Sequence, residues 1–248
     1  MSNTCQAHNI IAADYYERIP KALQLTKEEE VLEFGRITVF DFFEVTLNLL
    51  DQLSILLTFL GVTYTCYKLH FEKTAFHAFM CTLGLICLLA NGMIVRYQSN
   101  IILRYLHSDA KDVIHIILMV CGGILGLIGT GHKMFLKSIH FNTTHGKFGL
   151  ASCIFWTINI ALGIFAFISR SNSAKWMPLL AKIIHNFVGL LTLIMSCFAQ
   201  YCGYKSGFFR RNFSNQGVYR KMIILILVLT ALGPIKICVD DFLDFKKL

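Results

Sequence analysis

Six stretches of this 248-residue chain are long and apolar enough to cross a lipid bilayer: about 45–67, 75–95, 113–136, 146–168, 179–203 and 219–239. A hydrocarbon core roughly 30 Å thick calls for about 20 apolar residues in a helix. Backbone groups in lipid must find their partners within the segment or in a closed barrel. These runs are continuous and lack the period-two alternation of barrel strands. The expectation is therefore an all-α membrane protein of six transmembrane helices. Composition agrees, with only 15% charged residues against about a quarter in an ordinary soluble domain.

The spans divide the chain into a segment at 1–44, a transmembrane domain at 45–240 and a tail at 241–248. The first segment holds Arg18, Lys21, Lys27, Glu28, Glu29, Glu30 and Arg36 and no apolar h-region. It is expected to remain on the cytosolic side, with residues 21–34 forming a short amphipathic surface helix. The N-terminal face of the bundle carries 13 Lys and Arg and the opposite face 10, a small bias toward cytosolic termini. The sequons at Asn142 and Asn212 both fall on the opposite face, which suits a luminal or extracellular exposure. The net charge of +8 follows from Lys and Arg at the helix ends and implies no nucleic acid. Nine cysteines without CxxC spacing read as packing thiols.

The chemistry lies in the histidines. His77, His115, His145 and His185 fall one each on the second, third, fourth and fifth spans, all near the helix N-terminus. Successive helices run in opposite directions, so His77 and His145 share one membrane face and His115 and His185 the other. Imidazole in a membrane helix faces the bundle interior and seeks a partner. Two facing imidazoles can supply both axial ligands of a haem iron. No CxxCH attachment motif is present, so such a haem is non-covalent and of b type. Gly149 and Gly189 follow His145 and His185 by four residues, and Gly84 and Gly122 follow His77 and His115 by seven. Those spacings keep each glycine on its histidine's face, where a macrocycle edge needs clearance. His132 and His140 bracket the connection between the third and fourth spans, on the His77/His145 face. His8, His70 and His107 lie outside the spans and read as solvated.

The stretch His140-Phe141-Asn142-Thr143-Thr144-His145-Gly146-Lys147-Phe148-Gly149, together with Thr74-Ala75-Phe76-His77 and Leu89-Ala90-Asn91-Gly92, resembles the cytochrome b561 family. It is especially similar to the shorter domain-containing branch, and the likeness covers roughly residues 40–240. The family often has Pro after the helix-2 histidine, where this chain has Ala78. The resemblance implies a central bundle of helices 2–5 holding two haem b groups per chain. One would be held by His115 and His185 and reduced by cytosolic ascorbate. The other, held by His77 and His145, would pass the electron to ferric iron or monodehydroascorbate across the bilayer. Arg96 and Lys111 are the expected ascorbate contacts, and His132 and His140 the expected acceptor contacts. The likeness also implies a multi-pass protein of an endomembrane or the plasma membrane, and allows a homodimer.

A non-redox transporter or adaptor with structural histidines is the competing class. Against a transporter, Asp51 is the one acidic or basic residue deep in a span, and proline falls near helix ends. A flavin or nicotinamide enzyme is disfavoured by the lack of a GxGxxG turn and of a soluble domain to hold one.

Overall fold

The computed structural model describes residues 39–97, 100, 103, 105–171 and 176–246. The surface helix expected over 21–34 lies outside them. The described chain is helical: α1 (Val39–Lys68), α2 (Thr74–Ile94), α3 (Ser108–Phe135), α4 (Thr144–Ser169), α5 (Trp176–Gly203), α6 (Gly207–Asn212) and α7 (Gln216–Phe245). All but the short α6 are long and apolar enough to span, so this is a multi-pass integral membrane protein of six transmembrane helices.

Local chemistry explains several boundaries. The Thr143 hydroxyl accepts from the Gly146 N–H at 3.1 Å and so starts α4 just before His145. Pro178 is tolerated because it sits in the first turn of α5. α7 runs on to Phe245, so the residues expected as a tail continue the helix to that point, and Pro234 lies inside it. α2 changes winding midway: Thr82–Leu88 is π-helical between α-helical Thr74–Cys81 and Leu89–Ile94. Such wide turns are rare and concentrate at functional sites.

α2 pairs with α3, and α4 pairs most extensively with α5. With little hydrophobic drive between helices in lipid, close approach depends on small residues. A Cβ at Gly84 would overlap the carbonyl of Gly122 and come within 2.8 Å of the Gly126 nitrogen. On the other pair, the buried Ser152 and Ser196 hydroxyls meet at 2.6 Å. α7 packs on α5 and on the end of α2, while the buried carboxyl of Asp51 in α1 accepts from Thr230 of α7 at 2.9 Å. α3 and α4 touch sparsely. Their seam is closed by Trp156, whose ring lies on Gly123 and whose indole N–H donates to the Met119 carbonyl at 3.1 Å.

These contacts revise the expected role of two glycines. Gly84 and Gly122 let α2 and α3 meet backbone to backbone; they do not clear space for a macrocycle. Gly84→Val should therefore destabilise the bundle by about 1–3 kcal/mol or more, the usual range for forcing volume into a packed contact. Gly131→Ala, with nothing within 4 Å of the added carbon, should not. Thermal unfolding of both variants in one detergent checks the contrast.

Candidate functional site

The two helix pairs enclose two cavities that share no lining residue. One, of about 460 Å³, contains His77 and His145; the other, of about 620 Å³, contains His115 and His185. Both sizes suit a small ligand or cofactor site.

The four histidines that the sequence singles out are brought together in the expected pairs. The His77 and His145 rings have centroids 5.8 Å apart with planes at 80°, and those of His115 and His185 are 6.2 Å apart at 83°. Each Nδ1 faces a backbone carbonyl of the neighbouring helix in its own pair. His77 meets Gly129 at 2.8 Å and His115 meets Gly92 at 2.7 Å, joining α2 and α3 in both directions. His145 meets Ala199 at 2.8 Å and His185 meets Asn159 at 3.2 Å, joining α4 and α5 likewise. A carbonyl can only accept, so every Nδ1 carries the proton and every Nε2 keeps its lone pair. An N–H tied to a backbone carbonyl is the usual support of a metal-ligating imidazole.

The His77/His145 pair comes close to the spacing that an intervening metal ion needs. The Nε2 atoms of His77 and His145 stand 3.5 Å apart; with metal–imidazole bonds of about 2.0–2.1 Å, an intervening ion needs about 4 Å. Gly149 lines this cavity with nothing within 4 Å of its absent side chain, as expected for a cradle. Gly189 instead faces the Asn159 amide at 3.2 Å. Two glycines that the spacing argument passes over lie against the imidazoles: Gly163 beside His185 and Gly203 beside His145, where an added carbon would be 3.0 and 3.2 Å from Cε1. Each sits on the helix facing the histidine, beyond the reach of same-helix spacing.

The rims differ. In the His115/His185 cavity, Asp112 bridges Arg96 at 3.2 Å and Arg170 at 2.9 Å, tying the end of α2 to the end of α4. Lys182, also lining, pairs with Asp241 at 2.7 Å. Arg96 thus lines the cavity as expected, and Arg170 is an addition. Lys111 does not line it: the lining stripe of α3 is Asp112, His115, Ile116, Met119 and Val120, and residue 111 falls beside that stripe. Arg104 and Lys175, on the same face in sequence, lie outside the described residues. In the other cavity, His140 lines the mouth with Lys133 and Lys137. His132 does not line it; its ring lies 4.7 Å from that of Phe76, and its Nδ1 is buried without a hydrogen-bond partner.

A family model for eukaryotic cytochrome b561 matches residues 76–210, more than half of the chain and all four histidines. The chain belongs to the cytochrome b561 family. No curated protein and no solved structure matches it. As a cytochrome b561 it binds haem b and carries electrons across a membrane as an oxidoreductase. Non-redox transport is set aside on that ground. Among the described residues no cluster of three or more His, Cys, Asp or Glu side chains is placed to hold a metal ion by itself.

Gly163→Val and Gly203→Val put branched side chains against His185 and His145. Each should lower the haem-to-protein ratio of the purified cytochrome, whereas Gly131→Val should leave it unchanged. Pyridine haemochrome spectra against protein content provide the check.

Proposed function

We propose that this cytochrome b561 holds two haem b groups, one between His77 and His145 and one between His115 and His185. It would pass electrons from cytosolic ascorbate at the latter to ferric iron or monodehydroascorbate beyond the former. The observation that carries the reading is the reciprocal set of four imidazole–carbonyl contacts, with the His77 and His145 Nε2 atoms 3.5 Å apart and the His115 and His185 ring centroids 6.2 Å apart. Bound haem would supply the one-electron chemistry, with paired imidazoles leaving no open position for oxygen.

The chain's own residues do the rest. The carbonyls of Gly129, Gly92, Ala199 and Asn159 fix ring orientation and tautomer, so no proton needs to move at the ligands on reduction. Arg96, Arg170 and Lys182 present cationic donors around the His115/His185 cavity, suited to an ascorbate anion. Asp112 holds the two guanidinium groups in place. Trp156 packs on Gly123 and ties α4 to the Met119 carbonyl of α3. The thirteen basic residues on the His115/His185 side favour a cytosolic placement of that face.

Reduced-minus-oxidised spectra should show two b centres per chain. His115→Ala or His185→Ala should abolish reduction by ascorbate enclosed on that face, and His77→Ala should leave one ascorbate-reducible centre while stopping transfer across the membrane. Normal reduction of both centres in His115→Ala would overturn the route. Replacing Arg96 or Arg170 with Ala should raise the KM for ascorbate by roughly three- to tenfold, about the worth of one partly screened charge contact, with spectra unchanged.

A further inference from the structure

The cationic groups of the His115/His185 cavity do not stand free. Asp112 binds Arg96 and Arg170, one with each carboxylate oxygen, at 3.2 and 2.9 Å. Lys182 pairs with Asp241 at 2.7 Å. Asp241 comes from near the end of α7 and is itself buried, with 7% of its surface exposed. It stands behind the cavity lining, and its second oxygen accepts from the Asn186 side chain at 3.3 Å. Lys182 and Asn186 lie about one turn apart on α5, with His185 between them in sequence. One carboxylate thus grips two lining residues beside the histidine. It does so from a helix beyond residues 76–210, the part of the chain that the family model matches.

Arg96, Arg170 and Lys182 bring three positive charges and Asp112 and Asp241 two negative ones, so the paired side chains leave one net positive charge. Breaking a buried ion pair leaves a charge uncompensated and is costly. An arriving anion therefore shares these donors with the two carboxylates and does not displace them. One negative charge on the ligand is balanced. A second has no cation left to meet it and is repelled by the carboxylates already in place. We infer that Asp112 and Asp241 make this mouth selective for singly charged donors over doubly charged anions, with Asp241 a positioning residue supplied by the outer helix α7. The inference rests on the reading of this cavity as the electron entry. The ascorbate monoanion gives one electron to the bound haem and one proton to water, and it leaves as a singly charged radical. The charge balance at the mouth is the same before and after. Phosphate esters, with about two negative charges at neutral pH, are turned away by the same rule.

The test uses the full-length haem-loaded protein and two probes built on the donor ring. 2-O-Methylascorbate carries one negative charge and ascorbate 2-sulfate two, and substitution at the 2-oxygen keeps both from acting as donors. Equilibrium dialysis gives a dissociation constant for each, and their ratio is the readout. Bound haem is common to all variants, so changes in the ratio report the side chains alone. The wild type should bind the singly charged probe more tightly. Asp241→Asn and Asp112→Asn each raise the net charge by one. Each should shift the ratio toward the sulfate by roughly three- to tenfold, the weight of one partly screened charge, and less at high salt. Lys182→Gln should shift it the other way. Combining Asp241→Asn with Lys182→Gln restores the net charge and should return the ratio to the wild-type value. Lost packing alone would weaken both probes alike, and the second substitution would deepen that loss. If Asp241→Asn fails to retain haem, Asp112→Asn and Lys182→Gln still decide the comparison. A ratio unchanged in those two variants, tighter binding of the sulfate by the wild type, or binding of neither probe would overturn the inference. Failure of ascorbate to reduce the haem would instead sink the proposed function and leave the probe measurement standing.

Discussion

Four hydrogen bonds between imidazole Nδ1 and backbone carbonyls organise this bundle. Each histidine is anchored not on its own helix but on the one beside it, and the anchoring runs both ways within a pair. α2 and α3 are clasped at both ends by His77–Gly129 and His115–Gly92; α4 and α5 are clasped by His145–Ala199 and His185–Asn159. A buried polar ring in lipid is costly unless satisfied, so each pair is stable only in the register that closes both bonds. The same bonds turn every Nε2 toward the facing pair. Pair formation and imidazole orientation are thus one event, while the contact between α3 and α4 stays sparse.

The register has a numerical regularity. In α3, α4 and α5 the accepting carbonyl lies fourteen residues after the histidine of the same helix: His115 to Gly129, His145 to Asn159, His185 to Ala199. In α2 the interval from His77 to Gly92 is fifteen, and α2 is the helix with the π-helical turn. A wider turn takes up an extra residue without carrying the far end off its face. The winding change at Thr82–Leu88 is therefore explained by the need to keep two contacts in step with those of the other three helices.

Much of this was legible in the sequence. Hydrophobic run length gives the six spans, since lipid leaves the backbone few alternatives, and helix polarity alone sorts His77 with His145 and His115 with His185. What same-helix spacing cannot see is contact across helices. Gly84 and Gly122 look like clearance when counted from their histidines but meet each other, while Gly163 and Gly203, which do touch the imidazoles, sit on facing helices. Arg170 escapes notice for the same reason: it lines the cavity from the end of α4, bridged to Asp112 of another helix. Lys111 stands one position away from the lining stripe of α3, which Asp112 takes.

The separation of the two histidine cavities has an electrical consequence. They share no lining residue, and Trp156, packed on Gly123 at the contact of α3 with α4, lines neither. An electron carried across the membrane by such a cytochrome moves one charge through the field, so the drive for the reaction includes the membrane voltage as well as the redox potentials. Each 100 mV across the bilayer adds or removes about 2.3 kcal/mol per electron, which makes the polarisation of the host membrane a control on how far the reaction runs.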